Sequence, residues 1–338
     1  MIKAKKEEIF KLFRTASILS FGGNPDDGGV LQEGKQGKEI DHTRTAFDVM
    51  MDVLSPPAMQ ARYVIARLVD RKSALYVAAA KGQTNLVKVL LDRGASIDAT
   101  TDKGWTALHW AAKGGQIEVV KLLLDRGAAI DATNNDEWTA LHLAACEGHI
   151  EVVKLLLDRG AAIDATPDDG WAALHGAADW GHTEVVKLLL DRGAAVDATT
   201  DGGWAALHVA ADGGHTEAVK LLLDRGAAID ATTNGGLTLQ LTALHCAARE
   251  GFIEVVKVLL DRGAAIDAMT HSGWTALHWA ACRGHIEVVK LLLDNGANTD
   301  RKDACRETAL DVARQRGREG VVALLTSTTH NRIFNPVL

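Results

Sequence analysis

Apolar positions along this chain fall into two alternating helical patterns. In the stretch that opens at Thr106, Leu108, Ala111 and Ala112 share one side of a short helix. Ile117, Val120, Leu123 and Leu124 mark a second helix, with Glu118 and Lys121 facing water. Thr106 stands where an N-cap hydroxyl is wanted, and Gly114-Gly115 ends the first helix. Asp125-Arg126-Gly127 closes the second, Gly suiting a left-handed C-cap and Arg the negative helix end. Ala128 to Thr133 is an extended return, and Asn134-Asn135-Asp136-Glu137 is a polar turn. The pattern predicts two antiparallel helices and a projecting turn.

That unit recurs. Its Ala-Leu motif opens at Ser73, Thr106, Thr139, Ala172, Ala205, Thr242, Thr275 and Thr308, in steps of 33 residues with a single step of 37. A fixed period of this size marks a stacked array, because one small unit cannot bury its apolar face alone. The unit resembles an ankyrin repeat: TALH stands in place of the usual Thr-Pro-Leu-His. Gly148-His149, Gly181-His182, Gly214-His215 and Gly284-His285 follow in most copies, then VVKLLL and a closing GA-x-I/V-D-A. The resemblance covers eight units over 73–325. It implies an all-α repeat solenoid, an ankyrin array, with short β-hairpin turns projecting from a curved helical stack. It also implies that other proteins are bound through the turn tips and inner helices.

Several residues depart from the motif. Ala107 and its equivalents replace the helix-opening Pro, at little expected cost. Ala172 and Ala205 lack the N-cap hydroxyl, typically worth about 1 kcal/mol each. Gly176 lies inside a helix where other copies have Trp110, Leu143, Val209, Cys246 or Trp279, a cost of roughly 0.5–1 kcal/mol. Four extra residues around Leu237-Thr238-Leu239-Gln240 lengthen one turn. The middle, 172–241, is expected to be the softest part.

Outside the repeats, residues 1–40 are expected to hold an amphipathic helix over 1–21, with Lys3, Lys5, Lys6, Lys11 and Arg14 around Ile9, Leu12, Phe13 and Ala16, then a Gly-rich linker over Gly22 to Gly37. Residues 41–72, interrupted at Pro56-Pro57, are expected to form a degenerate helical cap. Thr45 to Val49 there resembles Thr308 to Val312. Residues 326–338 are expected to be a flexible tail.

A net charge of -7 argues against nucleic acid as a partner, since phosphate contacts need a basic face. No apolar run reaches the roughly 18 residues of a membrane span. The four cysteines show no paired spacing, which suits packed thiols in a reducing compartment, and an intracellular, cytoplasmic location is expected. Ten of the thirteen histidines recur with the unit. Copies of one slot lie too far apart to share a metal whose bonds are about 2 Å, so they are expected to be structural. No nucleophile–base pair, HExxH, GxSxG or P-loop is present, so no enzyme activity, metal or cofactor is expected.

The aromatic positions carry more. Trp105, Trp138, Trp171, Trp204 and Trp274 each precede the residue that opens a first helix. The resemblance places this slot at the base of the turn, facing the concave side. In the long-turn unit Leu237 or Leu241 takes it. Two roles are open: rigidifying the turns by stacking, or recognition, which is preferred because Trp is enriched at binding hot spots. Trp180 is a further candidate, beside a notch expected at Gly176 between Leu143 and Val209, with core filling as the alternative. Asp136, Glu147, Asp168, Asp169, Asp179, Asp201 and Asp212 make the middle of this surface acidic. Glu137 adds to it, while Arg249, Arg283, Arg301, Lys302, Arg306, Arg314, Arg316 and Arg318 make the far end basic.

The expectation is a monomeric, non-catalytic scaffold whose Trp-lined acidic face binds a protein partner, suited to a basic segment, without nucleic acid or membrane contact. The alternatives are a regulatory or targeting subunit of an enzyme, and an adaptor recruited to membranes through residues 1–21.

Overall fold

The computed structural model describes residues 71–233 and 240–334. The expectations for residues 1–70, and for 237–239 in the long turn, lie outside the described residues. Among the described residues there are sixteen helices, in eight pairs. They fall into two compact units that divide between Asn135 and Asp136.

The first unit holds α1 (Arg71–Ala80), α2 (Thr84–Asp92), α3 (Ala107–Lys113) and α4 (Ile117–Asp125). α1 packs on α3, and α2 on α4. The second unit continues the scheme. Its first helices are α5 (Ala140–Cys146), α7 (Ala173–Asp179), α9 (Ala206–Asp212), α11 (Ala243–Glu250), α13 (Ala276–Arg283) and α15 (Ala309–Gln315). Its second helices are α6 (Ile150–Asp158), α8 (Thr183–Asp191), α10 (Thr216–Asp224), α12 (Ile253–Asp261), α14 (Ile286–Asp294) and α16 (Glu319–Phe334). Within this unit each first helix packs on the next first helix, and each second helix on the next second helix.

The packing follows from side-chain size. First helices bury short residues, such as Ala140, Ala144 and Ala145 around Leu141, so their backbones approach closely. Second helices bury Val152, Val153 and Leu156 and their equivalents, which fill the wider space behind. Each fully buried Leu or Val is worth roughly 1.5–3 kcal/mol. No repeat owns both walls of the space it fills, so this stabilisation belongs to neighbours jointly. α16 runs to Phe334, past the boundary at 325 that the period suggests. Its Val321 and Leu325 are buried, so one side stays packed as the helix lengthens.

First helices begin where the sequence places their caps. Thr106, Thr242 and Thr308 accept from the backbone N–H three residues on. Ala172 and Ala205 hold the same extended backbone, at φ -70° and -89°, without a hydroxyl. The turns close through a short set of bonds: Thr200 N–H donates to the Trp204 carbonyl at 3.0 Å, and Trp204 N–H donates to Thr200 Oγ1 at 3.2 Å. No strand forms among the described residues. One isolated antiparallel bridge joins Thr199 and Ala205. The expected β-hairpins are thus hydrogen-bonded turns too short to add ladder rungs.

Neighbouring turns sit close together. A side chain at Gly170, where φ is +75°, would come within 2.8 Å of the Thr200 Cα. Glu137 takes the same left-handed conformation, φ 62°, in the turn that lacks glycine at this place. Glu137 Oε2 accepts from Asp168 N–H at 2.7 Å, a bond that spans two turns.

Ala172→Thr and Ala205→Thr restore the missing hydroxyl in slots that already hold Thr139 and Thr242. Each should stabilise the chain by about 1 kcal/mol. The change is read from urea unfolding midpoints, and a loss of stability in both variants would show that the slots have no room for it.

Candidate functional site

The base of each turn that opens onto a first helix from Thr106 to Thr275 is built around a buried histidine, and Asp311 takes its place after Thr308. His142 Nδ1 accepts from Thr139 N–H at 3.1 Å and lies 2.9 Å from Thr139 Oγ1. His175 and His208 accept from Ala172 and Ala205 N–H at 3.1 Å, so there only the backbone half of the cap remains. On the far side of the ring, Nε2–H of His142, His175, His208 and His245 donates to the carbonyls of Ala165, Ala198, Ala231 and Ala268 at 2.8–3.0 Å. Both ring nitrogens of these histidines are engaged, which leaves no lone pair for a metal. The bonding also fixes the neutral Nε2–H tautomer. Burial pushes His175, His208 and His278 down from the usual range near 6.5, and His245 to about 4.

The indoles rest on these rings. Trp105, Trp138, Trp171, Trp204 and Trp274 lie with ring centroids 5.7–6.2 Å from His109, His142, His175, His208 and His278. All five are half-buried. Trp171 and Trp204 make no ring contact with each other, so the row is a series of separate indole–imidazole pairs. Trp274 Nε1–H donates to Asp303 Oδ2 at 3.0 Å. In the long-turn repeat the slot belongs to Leu241: Thr233 N–H donates to its carbonyl at 2.9 Å, and its own N–H donates to Thr233 Oγ1. Leu241 is buried, so the row is interrupted there.

Trp110 and Trp279 were not in the predicted set. They lie 4.7 Å from Trp105 and Trp274, forming an indole pair at each position. Lys113 Nζ stands 5.7 Å from the Trp105 ring. The signal was a Trp five residues after a Trp, at the helix position that other repeats fill with smaller apolar residues.

The expected notch at Gly176 does not exist. A Cβ there would meet the Cys146 Sγ at 2.4 Å, so the thiol of the preceding repeat already fills the space. Burial, with Asp179 and Glu147 nearby, pushes that thiol up to about 12, which makes it a packing group and not a nucleophile. Trp180 is the C-cap of α7 and is 66% exposed, which rules out its filling the core.

Among the acidic candidates, Asp136, Glu147, Asp168, Asp169, Asp179 and Asp201 are exposed. Asp169 accepts from Trp171 N–H at 3.0 Å, where Pro167 replaces the threonine of other turns. Asp212 is different. Arg249 Nη2 sits 2.6 Å from its carboxylate, and Arg249 Nε sits 2.7 Å from Glu250. The expected division into acidic middle and basic end therefore breaks here, because Arg249 belongs to the acidic row. The spacing of 37 residues, one lengthened repeat, was the available sign.

The architecture is that of a repeat scaffold of paired helices joined by short turns. A family model described as ankyrin repeats (three copies) matches residues 58–134, 126–200, 192–270 and 265–334. The chain belongs to the ankyrin repeat family, whose members are typically protein-interaction scaffolds and generally non-catalytic. Among solved structures it is similar to the human ASB11 ankyrin repeat domain, at 30% identity and a TM-score of 0.60, over 66% of this chain and 98% of that one. No curated protein sequence matches the chain. No helix among the described residues is long and apolar enough to cross a membrane.

Two predictions follow from this geometry. Gly176→Ala gains helix propensity but drives a methyl into the Cys146 thiol. It should stabilise the chain only when combined with Cys146→Ala, with about 1 kcal/mol of coupling in a double-mutant cycle. Additive effects would mean that the thiol swings aside freely.

The second concerns pH. His245 binds its proton near pH 4 in the folded chain and near 6.5 when unfolded. Between those values the unfolded chain holds more protons, so folding stability falls as pH drops from about 6.5 and stops falling near 4. The loss from His245 is about 3 kcal/mol. His175, His208 and His278 add loss of the same sign. Urea midpoints across this range measure it, and a flat profile between pH 6.5 and 5 would contradict the buried neutral state.

Proposed function

We propose that the protein is a non-catalytic scaffold that captures a protein partner, suited to a basic segment, on the face shared by its turn tips and first helices. In the second unit this face includes Trp138, Trp171, Trp204, Trp274 and Trp180 with Asp136, Glu147, Asp168, Asp169, Asp179, Asp201 and Asp212. Trp105 offers the equivalent position in the first unit. The observation that carries the reading is the half-buried state of the indoles. Each ring is fixed on one side by its own histidine and turn, so a partner meets a rigid apolar face at low entropic cost. The exposed carboxylates between them favour cations and would steer a basic partner. Arg249 closes one of these positions already, so Asp212 acts chiefly as an anchor for that arginine.

The ankyrin fold brings the same reading from a second direction, since a repeat array without a catalytic constellation offers recognition surface as its product. The test is Trp138→Ala with Trp171→Ala in the full chain. Partner capture should fall by tenfold or more, consistent with about 2 kcal/mol for a truncated hot-spot Trp, while far-UV helicity holds. Undiminished capture by the double variant would reject this face.

A further inference from the structure

Asp179 is the last residue of α7, and Trp180 caps that helix. The Asp179 carboxylate has no hydrogen-bond or ion-pair partner among the described residues, and burial raises its pKa above the ordinary carboxylate value. Trp180 is the most exposed large apolar side chain described, at 66%. Among the described residues no ring or cation lies against its indole. His215 of the following repeat donates through Nε2 to the Asp179 backbone carbonyl at 2.7 Å and pulls the carboxyl pKa down against burial, without a hydrogen bond to the carboxylate. That carboxylate and an uncovered indole thus belong to successive residues at one helix end.

The same unit shows a carboxylate and an indole, there from different repeats, sharing one cation. One repeat further on, the equivalent of Asp179 is Asp212, and it is satisfied by Arg249 from the following repeat at 2.6 Å. That guanidinium also stands 5.9 Å from the ring centroid of Trp279. One arginine thus joins a carboxylate to an indole. For Asp179 the following repeat offers Asp212, another carboxylate, so its cation cannot come from the equivalent position.

We propose that Asp179 and Trp180 form an arginine subsite, in which a partner's guanidinium donates to the Asp179 carboxylate and lies on the Trp180 indole. This rests on the reading that the face takes a basic segment, and adds where and by which side chain it is held. Arginine fits better than lysine because its planar, weakly hydrated cation can hydrogen-bond in its plane and stack on its face together. An ammonium makes a point contact and keeps more of its water.

The experiment titrates the full chain with N-acetylated, C-amidated hexaarginine and with hexalysine capped in the same way, by calorimetry. Hexaarginine should bind about threefold or more tighter than hexalysine, and Asp179→Asn and Trp180→Ala should each weaken it about fivefold. Glu254→Gln removes the same charge from α12, outside the proposed face, and should cost less than about twofold. Equal losses from the Glu254 and Asp179 variants, or equal affinity for the two peptides, would overturn the subsite. Trp138→Ala with Trp171→Ala separates it from the broader reading. If that pair abolishes peptide binding while the Asp179 and Trp180 variants bind normally, the wider face stands and the subsite falls. If only the Asp179 and Trp180 variants lose binding, the subsite stands and the wider face falls.

Discussion

A buried imidazole that ties the start of a repeat's first helix to the return segment of the same repeat is the interaction on which the second unit depends. His142 holds the start of its own first helix through Nδ1 and the carbonyl of Ala165 through Nε2. A change of tautomer breaks both bonds and a second proton breaks the one at Nδ1, so the ring must stay neutral and in one orientation. That orientation also gives the preceding indole its seat, at 6.0 Å for Trp138. Helix start, the course of the return segment and the pose of the surface aromatic are consequently a single arrangement, repeated from His142 through His278 with Leu241 in place of the aromatic before His245.

Sharing of this kind explains how the array tolerates weak points. Ala172 and Ala205 have lost the hydroxyl half of the cap, yet His175 and His208 still hold the return segments of their own repeats at 3.0 and 2.8 Å. Gly176 has lost its side chain, yet Cys146 from the neighbouring repeat occupies the vacated volume. The first defect is met within the repeat and the second from across its boundary. In a stack where every core is half a neighbour's, a local loss is spread over several contacts instead of opening a cavity.

The sequence conveyed the fold well because the determinants of each helix are local. Thr106, the Leu108–Ala112 stripe and Gly114 lie within nine residues, and periodicity repeats their message. The site was less legible because its chemistry lies between repeats. Whether Gly176 is a notch depends on Cys146, thirty residues earlier, and whether Asp212 is free depends on Arg249, thirty-seven residues later. The choice between Leu237 and Leu241 for the turn-base slot depended on which of them reaches Thr233, a matter of hydrogen-bond register inside a lengthened loop.

Charge is distributed unevenly between the two sets of helices, and stability does not explain it. At the ends of the second helices, Asp158, Asp191 and Asp224 each meet an arginine of the next repeat, Arg192, Arg225 and Arg262, at 2.7–2.8 Å. At the ends of the first helices the corresponding row reads Cys146, Asp179, Asp212 and Arg249, and only the last two pair. Exposed pairs contribute about 0–1 kcal/mol, so matching every acid would have changed folding little in either row. What the mismatch does change is the surface. Burial, with Glu250 and Asp179 adding to it, raises the pKa of Asp212 against the pull of Arg249, and Asp179 itself is followed by the exposed Trp180. A cation arriving there relieves repulsion that the array retains when empty, whereas on the second-helix side the neutralising arginines are built in. The two rows have the same spacing and differ in how their acids are paired, and under the reading proposed above the first-helix side is the one on which a basic partner would gain most.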